Sequence, residues 1–282
     1  MVAGRCGIAP IARFDASGFA CRLAGEVKDY SAKDFVPKGY RKAVKVMARD
    51  TELAVGAAKL AAEDAGLVTR AQSGEGEVAP TTYPAERLGC HIGAGLMPAE
   101  ASEMASAMVT AREPNPSPEL LASTNGLTLR AWGTIGVGGE SGALGGMNNL
   151  QPLWMLKYLP NMLACHVTII HGAEGPSNTI TCAEASGLLS LGESARVIER
   201  GAADVCFSGG AESKVNLMGL MRATLAGRVG ATEGFDGPTV VRPYDPAAGG
   251  NVLGEAGGLL ILEEREGAVS YTHLTLPTNR EV

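Results

Sequence analysis

The residues best able to do covalent chemistry are the six cysteines, Cys6, Cys21, Cys90, Cys165, Cys182 and Cys206. A thiolate can attack an acyl carbonyl and hold the acyl group as a thioester. No two of them form a C-x-x-C pair, so neither a disulfide scaffold nor a dithiol redox motif is implied. Cys90, Cys165 and Cys206 lie in apolar runs, where cysteine behaves as a small buried hydrophobe. Cys182 is placed differently. It ends a strand-like run, residues 178–182, and a helix is expected directly after it, over 183–200. Glu184 stands two residues further on. A carboxylate at a helix N-terminus is electrostatically favoured and can act as an acid or base or fill an oxyanion pocket. It cannot form a thioester. If the strand ran on, alternation would send Cys182 and Glu184 to the same side.

Two further features could carry function. His166 and His171 flank an apolar, β-branched run at 165–170, expected as a strand. The glycine-rich stretch 133–146 invites a phosphate-loop reading, but it lacks the Gly-Lys-Ser/Thr ending and the G-x-G-x-x-G spacing. A structural loop is the better account, with a nucleotide-binding α/β protein as the rival.

The elements that must position these groups follow from periodicity and punctuation. An Ala-rich helix is expected at 51–65, capped by Asp50 or Thr51 and stopped by Gly66. A short buried strand at 88–92 and a second helix at 99–111 come next, before Pro114, Pro116 and Pro118 break regular structure. In the 183–200 helix, Leu188, Leu191, Ala195 and Ile198 form the expected buried stripe, and Gly201 stops it. A strand at 203–207 turns out at Gly209 and Gly210, and another apolar strand covers 257–264. Strand, helix, strand with tight turns implies an α/β fold with a mixed, largely parallel sheet.

Composition narrows the function classes. A net charge of −6, with no basic run or basic amphipathic stretch read from the sequence, argues against nucleic-acid or anionic-membrane partners. Scattered unpaired cysteines fit a reduced, cytoplasmic setting. No leader pattern or bilayer-length apolar run is present. Glycine, at 38 of 282 residues, suits close backbone packing.

Four blocks in order resemble the amino-terminal half of β-ketoacyl-ACP synthases. They are "GIAPIARFDASGFACRLAGEV" (7–27), the helix ending "AAEDAGL", the run "PNMLACHVTIIHGAEGPSNTITCAEASGLLSLGESARVIERGAADVCFSGGAES" (160–213) and "RPYDPAAGGNVLGEAGGLLILEE" (242–264). The resemblance implies a thiolase-like fold of two similar halves, of which this chain holds one incomplete half, assembled as a homodimer or as a heterodimer with an active synthase. It implies acyl carrier protein and acyl and malonyl thioesters as partners, and no metal or cofactor. It also implies structural rather than catalytic roles for His166 and His171. In the family a cysteine on a sharp strand-to-helix turn takes the acyl group. Two histidines of the second half then assist decarboxylation of malonyl-ACP.

The register locates the departure. In the family, six residues separate the Gly-Pro-Ser turn from the nucleophile, which x-Ser-Gly follows. Here six residues follow Ser177, the seventh is Glu184, and Ala185, Ser186 and Gly187 come next. The resemblance therefore puts Glu184 in the nucleophile position, with Cys182 as the alternative nucleophile. Members with a non-cysteine residue there act as chain-length-factor partners or malonyl decarboxylases. Residues 1–269 are expected to be the synthase amino-terminal domain, truncated at both ends. "SYTHLTLPTNREV" (270–282) resembles sequencing read-through, so a non-native tail is expected and His273 carries no catalytic weight. The chain alone is expected to lack condensing activity.

Overall fold

The computed structural model describes residues 6–72, 80–97, 99–109, 111–113, 115–133, 146–150, 153–247 and 250–264. Most of the glycine-rich stretch and the expected non-native tail lie outside the described residues. In chain order the elements are β1 (Ile8–Pro10), β2 (Leu23–Gly25), α1 (Arg49–Asp64), β3 (Leu88–Gly93), α2 (Ala101–Val109), α3 (Pro118–Thr124) and α4 (Leu129–Gly133). The second half adds α5 (Met162–His171), β4 (Ser177–Ile180), α6 (Ser186–Glu199), β5 (Val205–Ser213), α7 (Leu217–Leu225), α8 (Gly237–Val240) and β6 (Leu253–Glu263).

The chain divides into two compact units. One comprises Met1–Glu26, Pro98–Tyr158 and Lys214–Gly254. In it β1 and β2 form an antiparallel ribbon, and the first two residues of β6 pair in parallel with β2. Its core gathers Ala16, Cys21, Ala24, Val215, Leu220 and Leu253, with Phe14 and Phe19 packed against them. Asn216 caps α7 by accepting the Gly219 N–H at 2.7 Å.

The other unit comprises Val27–Met97, Leu159–Ser213 and Glu255–Val282, and it carries the candidate site. Its four strands run in the order β6-β5-β3-β4. β3 is parallel to β4 and β5, and β6 is antiparallel to β5. The sheet is thus mixed and largely parallel, as the sequence implies. Every residue of β3 is buried, the mark of a strand covered on both faces. Alternation along β5 shows what covers them. Phe207 meets the ring of His171 on α5 at 4.6 Å between centroids, while Cys206 clusters with Val197 of α6. Adjacent strand residues point to opposite faces, so α5 and α6 lie on opposite sides of the sheet, and α1 packs beside α5.

Four sequence expectations need correction. The 165–170 run is helical, within α5. Its buried residues, Leu163, Ala164, His166, Val167, Ile170 and His171, share one helical side, but Ile169 on the other side is apolar too and 50% exposed, so the run shows no hydrophobic period that tells helix from strand. Neither Asp50 nor Thr51 caps α1, because the helix starts earlier, with Ala48 at its N-cap. β5 does not turn out at Gly209 but runs on to Ser213.

The fourth correction concerns α6. Leu188 is 75% exposed and Leu189 47%, whereas the buried face consists of Ser186, Ser190, Ser194 and Val197. Spacings of four, four and three residues place these on one helical stripe. Small polar residues line it because the helix presses close to glycine backbone. A Cβ on Gly93, the last residue of β3, would lie 2.5 Å from the Gly187 nitrogen and the Ser186 carbonyl carbon. Leucines cannot fit at that separation, so they face outward.

Candidate functional site

The strand-to-helix connection between β4 and α6 is a tight turn. β4 ends at Ile180, so Cys182 lies on the turn and not on the strand. The Ala185 N–H donates to the Cys182 carbonyl at 3.1 Å, closing a four-residue turn with Ala183 and Glu184 at its centre. Ala183 has φ +47°, a left-handed conformation that costs an L-residue about 1–2 kcal/mol. Cys182 and Glu184 are therefore not related by strand alternation, because the backbone between them is turned rather than extended. Both residues are exposed. Glu184 sits two residues before the first residue of α6, where the unsatisfied N–H groups of the first turn favour a carboxylate.

Hydroxyls on the buried face of α6 fix this turn and the helix behind it. Ser186 Oγ accepts the Cys182 N–H at 2.7 Å and donates to the Ala183 carbonyl at 2.7 Å. Ser190 Oγ accepts the Gly209 N–H at 3.1 Å and lies 2.7 Å from the carbonyl oxygens of Gly187 and Gly209. Ser194 Oγ lies 3.2 Å from His91 Nδ1 on β3. Sequence marks Ser186 only as part of the register motif and gives none of these serines a role. Their 186, 190, 194 spacing was the available signal.

Of the remaining thiols, Cys21, Cys90 and Cys206 are built into the core with His91, His166 and His171, whereas Cys6 is exposed and Cys165 half-buried. Burial pushes the Cys90 and Cys21 thiols up and takes Cys206 to about 11, so none is a ready thiolate. His166 Nδ1 lies 2.7 Å from the Tyr40 hydroxyl, and His171 Nδ1 lies 2.8 Å from the Thr69 hydroxyl. Burial lowers the pKa of both, that of His171 to about 4, so each is a neutral packed ring. Neither is brought to the turn by any contact among the described residues.

A second polar cluster joins α1, β5 and β6. The Glu255 carboxylate, fully buried, pairs with Arg49 at 2.8 Å and accepts bonds from the Ser213 hydroxyl at 2.7 Å and the Val27 N–H at 3.0 Å. Burial drives its pKa up, but these partners outweigh burial and hold it below the ordinary carboxylate value. Asp50 accepts the Ser213 N–H at 3.0 Å. Its burial outweighs that bond, and with Glu212 and Glu255 nearby its pKa is raised to about 6.

One surface feature was missed in sequence. Lys38, Arg41, Lys42 and Lys45 lie on a 3-10 turn over Lys38–Val46, all exposed, with exposed Lys33 close in the chain. The chain is acidic overall but carries this local basic face. No helix among the described residues is long and apolar enough to cross a membrane.

Comparison with known proteins agrees with this architecture. The sequence matches the β-ketoacyl synthase amino-terminal domain over residues 1–268. It is 26% identical over 262 residues to a 3-oxoacyl-[acyl-carrier-protein] synthase 2 of Staphylococcus aureus, covering 93% of this chain and 53% of that protein. A protein of the same description from Synechocystis sp. is 30% identical over 270 residues, covering 96% of this chain and 53% of that protein. The chain spans about half the length of these relatives. Among solved structures, the ishigamide ketosynthase/chain length factor matches with a TM-score of 0.65 at 24% identity, over 95% of this chain and 53% of that one. A ketosynthase in complex with a type II PKS acyl-carrier protein matches with a TM-score of 0.61 at 21% identity, over 95% and 53%. These likenesses give the thiolase-like fold, and the match over residues 1–268 shows that the chain belongs to the β-ketoacyl synthase family.

Proposed function

We propose that the full-length protein is a non-acylating member of that family, working with an acyl carrier protein and a cysteine-bearing synthase. The observation that carries this reading is Glu184 on the left-handed turn ahead of α6, where the family resemblance expects the nucleophile. A carboxylate there is stabilised by the helix N-terminus, yet it forms no thioester with an incoming acyl group. It can instead occupy the place of the acyl-enzyme and shape the pocket mouth of a partner synthase. In its protonated form it can act on malonyl thioester, donating a hydrogen bond to the enolate that forms as carbon dioxide leaves and then giving that proton to the α-carbon. The exposed face of Lys38, Arg41, Lys42 and Lys45 supports a partner bearing negative charge, such as a carrier protein with its phosphate-linked arm.

A second reading has its own observation. Cys182 is an exposed, free thiol on the same turn, so a condensing enzyme with a shifted nucleophile is chemically available. Incubation of the full-length protein with acyl-ACP, followed by intact-mass and peptide mass spectrometry, separates the two. No acyl adduct is expected. An adduct on Cys182 overturns the non-acylating reading. Release of carbon dioxide from malonyl-ACP that is lost in E184A identifies the decarboxylase. Its absence, together with co-purification of a cysteine-bearing synthase, identifies the partner subunit.

A further inference from the structure

We propose that Ser186 is the positioning residue of the turn: its hydroxyl holds Ala183 left-handed and so fixes where Glu184 is carried. The inference rests on Glu184 being the functional group of the site. A left-handed alanine does not persist by itself, since its Cβ crowds the following carbonyl. Something must over-determine it.

A serine hydroxyl has one hydrogen to give and lone pairs to receive. Ser186 uses both within the turn, accepting from the Cys182 N–H and donating to the Ala183 carbonyl, each at 2.7 Å. These two groups flank the φ and ψ of Cys182 and Ala183, so one side chain brackets both residues that precede Glu184. The side chain is buried, with Ser186 only 5% exposed, so water does not compete for either bond. The backbone bonds from Ala185 N–H to Cys182 and from Ser186 N–H to Ala183 close two overlapping turns but do not select the hand at Ala183. The bracket is itself anchored. Gly93 leaves no room between the end of β3 and the Ser186–Gly187 peptide, and Ser190 ties the next turn of α6 to Gly209. Ser186 touches no reacting atom in this scheme. It acts through Glu184.

Amide hydrogen exchange at Cys182 reads the bracket without reference to activity. In the full-length protein, S186A is expected to raise the exchange rate at that amide at least tenfold, while Phe207 on β5 keeps its protection. The isosteric pair S186T and S186V shares any crowding, so the difference between them isolates the hydroxyl. Slow exchange at Cys182 in S186T and fast exchange in S186V is the expected result, and equal exchange in the two overturns the proposal. Because glycine accepts φ +47° freely, A183G is expected to restore at least half of the Glu184-dependent activity that S186A loses. Activity equally low with and without A183G overturns the positioning role. Unchanged activity in E184A overturns the reading of Glu184 on which the inference rests, whatever the exchange data show.

Discussion

The hydroxyl of Ser190 grips Gly209 from both sides, accepting its N–H at 3.1 Å and lying 2.7 Å from its carbonyl oxygen. A helix side chain thereby satisfies a backbone unit in the middle of β5. Gly209 has φ +149°, and a Cβ there would lie 2.2 Å from the Gly258 carbonyl oxygen on β6. S190A leaves a buried N–H and carbonyl short of a partner, with an expected loss of about 1–3 kcal/mol in urea unfolding. G209A adds strain to a backbone clash and is expected to cost more than ~3 kcal/mol. A smaller loss for G209A than for S190A would show that β6 yields at this point.

The two faces of α6 make a reciprocal prediction. L188S, on the exposed face, is expected to shift stability by less than about 0.5 kcal/mol. S194L, at a fully buried position beside His91, is expected to cost several kcal/mol by overpacking and by removing a hydroxyl near the imidazole. Chemical unfolding of both variants checks the assignment of faces. A costly L188S with a tolerated S194L would reverse it.

Asp50 gives stability a pH dependence of unusual sign for a carboxylate. Its folded pKa of about 6 is above the ordinary value of 3.8, so the folded state holds the proton more tightly than the unfolded chain. The resulting penalty is absent below about pH 4, grows as the pH rises from there, and is complete above pH 6. D50N, which still accepts the Ser213 N–H, is expected to be more stable than the native sequence at pH 7.5 by on the order of 2 kcal/mol. That advantage should vanish near pH 4. Urea unfolding at both pH values measures it, and an advantage independent of pH would assign the effect to packing.

The Arg49–Glu255 pair is expected to matter mainly when broken. R49M strands a fully buried carboxylate and should cost about 3–5 kcal/mol. R49M/E255Q is expected to regain more than half of that loss, because the glutamine is neutral. A double-mutant cycle with E255Q measures the coupling.

Much of this architecture was legible in the residues. The Gly66 stop, the apolar 88–92 run and the 183–200 pattern located α1, β3 and α6. The Gly-Pro-Ser turn and the Ser186-Gly187 pair set the register that singles out Glu184. What failed has a common cause. Hydrophobicity stands in for burial only where there is room for large side chains. On α6 the sheet backbone lies too close at Gly93 and Gly209, so serines are buried and leucines are not. On α5 the exposed Ile169 and the half-buried Cys165 put apolar residues on the outward side as well, which erases the period. The left-handed Ala183 had no local signal, because alanine has no preference for that conformation.

The contrast between hidden and open thiols makes the chain its own unfolding gauge. Cys21 lies in the core of one compact unit, and Cys90 and Cys206 lie in the core of the other, while Cys182 and Cys6 stand open. A thiol reagent added to the native protein marks the open sites at once and the hidden ones only when their surroundings open. The order in which Cys21 and the Cys90/Cys206 pair are marked, as denaturant is raised, ranks the two units by resistance to opening.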